Sequence, residues 1–305
     1  MSIHDAMLQA CAAVQIEPPR KAKAGEWVAC PVVGKGRSNG AGRVLIFDDG
    51  RGGIAWNWSS GQQQRFKLDG LAGPGEVKPP RRDPEAERID QERRQAAVRA
   101  SAAMVAACEP LAHPYLERKG FPDEIGNVLD DPARLIPSGE FFDGMRYQVS
   151  QMAGPFLVIP GRIAKQVVTV QLIDAEGAKL NMKAAPMKGA AHRLATGRET
   201  WVAEGYATAL SVRAALRLLG RSATVLSAFS AANVAKVAEG LSGSIIAADH
   251  DKPLEQLHGK GTGEFYAAKS GRVWTMPPAL GDFNDMHQEH GLRAVAVHLR
   301  EVRGG

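Results

Sequence analysis

Cysteine is scarce in this sequence: three among 305 residues, at positions 11, 30 and 108. None forms a Cys-x-x-Cys pair, which excludes a disulfide framework and a paired-cysteine zinc ribbon, so no structural zinc is expected. Long apolar runs are missing as well. A transmembrane helix needs about twenty consecutive apolar residues, and no such stretch occurs, so no membrane partner is expected. The opening MSIHDAMLQACAAVQ mixes acid and polar residues with its apolar ones. It lacks the basic start and continuous apolar stretch of a signal peptide, which makes the cytoplasm the expected compartment. No Gly-x-x-x-x-Gly-Lys-Ser/Thr loop is present, so any unwinding of nucleic acid has to come from a partner such as a separate replicative helicase. Internal repeats and low-complexity tracts are absent too.

What is present is enough apolar material for a core and a mild positive charge. With 44% hydrophobic residues, a chain of this length supports about two domains. The net charge of +5 and the pI near 9.1 are compatible with a polyanionic partner without demonstrating one. From Glu199 onward, eleven Lys or Arg face eleven Asp or Glu, whereas 27 basic residues face 22 acidic ones before it. If nucleic acid binds, the first two-thirds of the chain should hold more of the strand.

The chain divides into four segments. Residues 1–72 read as a short amphipathic helix followed by short strands and turns, a small β-rich module. Residues 73–108 begin as a linker, GPGEVKPPRRDP, and continue as a helix dense in Arg, Glu and Ala whose mixed charges suit a solvated face. Residues 109–198 hold strands at 154–160 and 167–173 around an irregular basic loop, an α+β pattern. After Glu199 apolar strands alternate strictly with helices through residue 305. Repeated βα units of this length predict an α/β fold, a parallel sheet flanked by helices on both faces.

In such a sheet the loops after the strand C-terminal ends gather on one edge, where ligands bind. Three of those loops carry acids: Glu204 in VAEGYATAL, Asp249 and Asp251 in AADHD, and Asp282 and Asp285 in GDFNDMH. Hard divalent cations take oxygen ligands, and acids converging on one edge can hold Mg²⁺ or Mn²⁺ against phosphate oxygens. Asp249 and Asp251, two apart on an extended segment, share one side and can share a metal. Taken singly, each acid has another use as a helix N-cap or a solvated loop end. Their coincidence on one edge favours the metal.

The order EGYATA, AADHD, DFND resembles the Toprim domain shared by bacterial DnaG-type primases, topoisomerases and some nucleases. With HPYLERKGF at 113–121, the basic LNMKAAPMKGAAHRL segment and an early WNWSSG, residues 25 to about 300 are similar to primases encoded by phages and conjugative plasmids. That resemblance implies a general acid/base at Glu204, metal ligands at Asp249 and Asp251, and a metal-supporting or substrate-positioning role for Asp282 and Asp285. Two departures stand out. DnaG-type enzymes carry a leading zinc domain for which this chain has no cysteine set, and His250 and Lys252-Pro253 occupy positions where small or acidic residues and a glycine are often found.

Other residues have two readings each. In HPYLERKGF, Pro114 and Gly120 suit a helix start and the position after its end, while Arg118 or Lys119 can meet a nucleotide phosphate. Lys179, Lys183, Lys188 and Arg193 surround the irregular loop; Lys183 and Lys188 are favoured for nucleoside triphosphate or template phosphates. Trp56 and Trp58 lie on one face of their strand, as core or as a surface that stacks single-stranded DNA beside Arg37, Arg43 and Arg51. The leading functional expectation is synthesis of short RNA primers from ribonucleoside triphosphates on a single-stranded DNA template, for replication of a phage or plasmid. Metal-dependent phosphodiester hydrolysis and single-stranded-DNA binding with weak catalysis are the alternatives.

Overall fold

The computed structural model describes residues 2–34, 39–68, 70–71 and 84–304. The chain forms two compact units, Met1–Arg82 and Asp83–Gly305. In the first, helix α1 (Ile3–Ala13) precedes an antiparallel meander of β1 (Trp27–Cys30), β2 (Gly42–Ile46), β3 (Gly52–Asn57), β4 (Gln63–Lys67) and β5 (Gly70–Leu71). Ser2 starts α1 with a capping box, its hydroxyl accepting from the Asp5 amide while the Asp5 carboxylate accepts from Ser2. Alternation along the strands sends Cys30, Val44, Ala55 and Phe66 to one face, where they pack on Ala6, Met7, Ala10 and Cys11 of α1.

The second unit opens with α2 (Pro84–Ala107). Its first turns carry exposed Arg88–Glu85 and Arg88–Glu92 ion pairs, as expected of a wet face. Its last turns correct that expectation. Ala97, Ala100, Ser101 and Met104 are buried against the middle sheet, because small residues at helical spacing let the helix approach closely.

That middle sheet is antiparallel and built from β6 (Glu109–Leu111), β7 (Gly126–Leu129), β8 (Phe156–Ile163), β9 (Gln166–Ile173) and β10 (Lys179–Asn181), in the order β10-β9-β8-β7-β6. Short helix α3 (Pro114–Arg118) and amphipathic α4 (Glu140–Ser150) connect its strands. The C-terminal sheet contains β11 (His192–Ala195), β12 (Glu199–Ala203), β13 (Ala223–Ser227), β14 (Ile245–Ala247) and β15 (Val273–Thr275), ordered β11-β13-β12-β14-β15. Pairing is parallel except at β11, which runs antiparallel to β13. Helices α5 (Tyr206–Leu218), α6 (Ala231–Glu239), α7 (Thr262–Lys269), α8 (Phe283–His290) and α9 (Leu292–Leu299) flank it. The predicted α/β sheet is therefore present, with an antiparallel edge strand drawn from the loop before residue 199. The two sheets share an apolar seam of Tyr115, Leu116, Leu157 and Ile159 with Tyr206, Leu210 and Phe229. That seam brings the middle sheet up to the acidic edge.

Candidate metal centre

Parallel strands β12 and β14 are neighbours, paired Trp201 to Ile245, Val202 to Ile246 and Ala203 to Ala247. Both end at the same edge, so Glu204 and Asp249 leave adjacent strand tips. The Glu204 carbonyl accepts from the Phe229 amide at 2.8 Å and from Ser227 Oγ at 3.0 Å, which fixes the turn into α5. Its carboxylate accepts from the Ala231 amide at the start of α6. The third acidic loop is tied in by main chain: the His250 amide donates to Gly281 at 2.9 Å and the Gly281 amide to His250 at 3.0 Å. Asp251 Oδ2 accepts from the Gly263 amide at 2.8 Å.

Electrostatics record the convergence. Burial, then the charges of Asp251 and Asp282, push Glu204 up to about 7; Lys179 and the Ala231 amide pull it down. Burial, then Glu204, Asp282 and Asp251, push Asp249 up to about 8, again opposed by Lys179. Asp249 Oδ1 is buried with no hydrogen-bond partner, which is costly for a polar atom that no ligand satisfies.

Asp282 and Asp285 have a second job. Asp282 caps α8, accepting from the amides of Asn284 at 2.6 Å and Asp285 at 3.0 Å, and Asp285 Oδ2 accepts from the Asp282 amide at 3.0 Å. The charge of Asp282 still reaches Glu204 and Asp249, whereas Asp285 is exposed.

No three Asp, Glu, His or Cys side chains among the described residues close around a common point at ligand distance. The edge is thus no all-protein cage. It offers hard carboxylate oxygens, one of them orphaned and buried, with positions left for water and phosphate, and Mg²⁺ is usually held by one or two carboxylates in that way. The residues fit such an ion.

The basic residues separate. Lys179, on β10, is the cation that acts on both Glu204 and Asp249. Lys183, favoured by the sequence, donates to the Phe141 carbonyl at 2.6 Å with its amine over the Phe141 ring. Lys188 is exposed, and Arg193 lines a separate cavity of about 160 Å³ with His192, Glu124 and Arg213. Lys119 ends α3, and its carbonyl accepts from Asn284 Nδ2 at 2.8 Å. His113 is structural: its Nδ1 accepts from the Tyr115 amide at 3.2 Å as N-cap, and Nε2 lies 2.9 Å from the Pro155 carbonyl. His250 Nδ1 likewise donates to the Pro277 carbonyl at 2.9 Å. Tyr115, on α3, is buried with an unpartnered hydroxyl whose pKa is raised first by burial and then by Asp282. Arg43 and Trp58 lie together in the first unit, and Arg37 falls outside the described residues.

Among solved structures, the chain is similar to the DnaG primase catalytic domain bound to ssDNA, at 13% identity and a TM-score of 0.42 over 70% of this chain and 81% of that one. It is also similar to the primase fragment of the bacteriophage T7 primase-helicase protein, at 17% identity and 0.34 over 48% and 62%. For the zinc-binding and RNA polymerase domains of the Aquifex aeolicus primase the values are 12% and 0.41 over 100% and 86%. Residues 199–293, which carry the acid-lined edge, match the family model of the Toprim domain.

Proposed function

We propose that this chain is a primase-type nucleotidyltransferase that builds short RNA primers from ribonucleoside triphosphates on single-stranded DNA, in the cytoplasm, with Mg²⁺ or Mn²⁺. The observation that carries the reading is the pairing of Glu204 and Asp249 at adjacent parallel strand tips, with Lys179 of the middle sheet acting on both. Asp249, with Asp251 and Asp282 beside it, would hold the ion; bound there, it supplies charge neutralisation to the transferring phosphoryl group. Glu204, at the strand tip beside those acids, takes the proton from the attacking 3′-hydroxyl as general base. Lys179 places a positive charge where triphosphate oxygens would lie. Lys119, Lys183, Lys188 and Arg193 are further candidates for nucleotide or template phosphates, and a separate replicative helicase would open the duplex.

The test is incubation with single-stranded DNA, labelled nucleotides and Mg²⁺ or Mn²⁺, scoring new short products and template degradation together. Template-dependent products support the reading. Degradation alone would replace it with metal-dependent hydrolysis at the same acids.

A further inference from the structure

The face of the N-terminal sheet that α1 does not cover carries an unusual set of side chains. Register places Ala29, Arg43, Trp56 and Gln63 in one row across β1 to β4, and Trp27, Leu45, Ile54 and Arg65 in the next. Directly opposed residues of antiparallel strands share a face, and this one is opposite Val44, Ala55 and Phe66, which pack on α1. Trp58 follows Trp56 by two and joins them. Trp27 and Trp56 have ring centroids 6.3 Å apart, and Trp56 and Trp58 meet edge-to-face at 5.5 Å. The Arg43 guanidinium lies 4.3 Å from the centre of the Trp58 ring and donates to the carbonyls of Gly40 and Gly42, which fixes it there.

The two outer tryptophans of this trio are exposed, Trp27 at 41% and Trp58 at 52%. Half-exposed indoles on an ordered sheet keep open aromatic surface, and nucleobases stack on such rings whatever their sequence. Charge points the same way. Residues 1–82 contain twelve Lys or Arg against seven Asp or Glu, so this unit alone accounts for the +5 of the whole chain, and residues 83–305 are balanced. The excess positive charge of the first two-thirds therefore belongs to this unit and not to the middle sheet.

We infer that Trp27, Trp56, Trp58 and Arg43 form a base-stacking platform for single-stranded DNA. The choice of DNA over RNA rests on the proposed priming function; the stacking surface does not. Bases stack on Trp58 and Trp27, while Arg43 supplies a planar cation beside them.

The test uses the full chain in EDTA without nucleotides, so that it reads the platform apart from primer synthesis. Binding of a labelled oligo(dT) of about twenty nucleotides is followed by anisotropy, beside oligo(rU) and a duplex of equal length. Trp58→Ala and Trp27→Ala should each weaken oligo(dT) binding roughly tenfold or more. Trp58→Phe should restore most of it, since a smaller ring still stacks, and circular dichroism of each variant should match wild type. Wild-type affinity in both alanine variants, or an equal loss on duplex, would overturn the platform. Tighter binding of oligo(rU) would overturn its assignment to DNA. Intact oligo(dT) binding in a protein that makes no primers would leave the platform standing and remove the polymerase reading.

Discussion

Asn284 Nδ2 donates to the carbonyl oxygen of Lys119 at 2.8 Å and to Ser211 Oγ at 3.1 Å, joining two motifs 165 residues apart in the chain. The helix that Asp282 caps thereby grips the end of α3, and Gln288 of the same helix donates to the Arg118 carbonyl. This contact holds Tyr115 and Lys119 against the acidic edge. Asn284 is fully buried. Asn284→Ala should therefore leave the Lys119 carbonyl without its partner at a cost of about 1–3 kcal/mol in unfolding free energy, measured by denaturant titration. An unchanged midpoint would show that the contact contributes nothing to the join.

Stability should fall as the medium turns alkaline. Glu204 and Asp249 have folded-state values raised to about 7 and about 8 from 4.5 and 3.8. The folded state therefore holds protons that the unfolded state has released, and that advantage disappears as pH rises through the folded values. His192, lowered to about 4 by burial, works in the opposite direction but only as pH drops below its ordinary 6.5. From about pH 6.5 to 8 the acids act without it. In EDTA, roughly 1–2 kcal/mol should be lost across that window. Mg²⁺ or Mn²⁺ should raise the melting temperature more at the upper end, since a metal needs the ionised carboxylates. A melting temperature that is flat in EDTA and indifferent to metal would contradict the assignment.

Gly263 is required by closeness. A Cβ there would stand 2.3 Å from the Asp249 carbonyl oxygen and 3.0 Å from its nitrogen, and the same residue's amide holds Asp251. Gly263→Ala should push the Asp249–Asp251 loop outward, costing about 1–3 kcal/mol and most of the activity. Gly144→Ala is the contrast: nothing lies within 4 Å of its Cβ inside α4, so it should stabilise by about 0.5–1 kcal/mol. Equal behaviour of the two variants would remove the steric argument.

Much of this edge was legible in the sequence because parallel β/α alternation fixes where strand ends go. Glu204, Asp249, Asp251 and Asp282 follow apolar strands, and the structure brings Asp251 and Asp282 within electrostatic reach of both Glu204 and Asp249. Their roles remain as proposed above. Asp285 shows the limit, since an acid three residues into a helix serves a capping box as readily as a metal. The choice among the lysines was not legible. Lys179 and Lys183 sit four apart around one loop, and only the pairing of β10 with β9 and the position of Phe141 decide which reaches the acids. For the same reason α2 read as wet: the Arg and Glu of its first turns hid the alanine face that buries at its end.

Lys179 should matter through charge. Lys179→Met removes the cation that lowers both Glu204 and Asp249, so both acids should rise further and the acidic limb of the pH–rate profile should move to higher pH. Weaker capture of the triphosphate should also raise KM. An unshifted limb would exclude Lys179 from the site even if activity fell.

If Glu204 and Asp249 perform metal-dependent nucleotidyl transfer, as proposed, their isosteric variants should lose it. Glu204→Gln and Asp249→Asn keep shape while removing one charge each, and should relieve repulsion in the folded protein, so both variants should melt at or above the wild-type temperature in EDTA. The measurement is primer synthesis on single-stranded DNA by wild type and both variants, with oligo(dT) binding recorded in parallel. Each variant should lose roughly a hundredfold or more in rate, several kcal/mol of transition-state stabilisation, with DNA binding retained. Full primer synthesis by either variant would contradict that role.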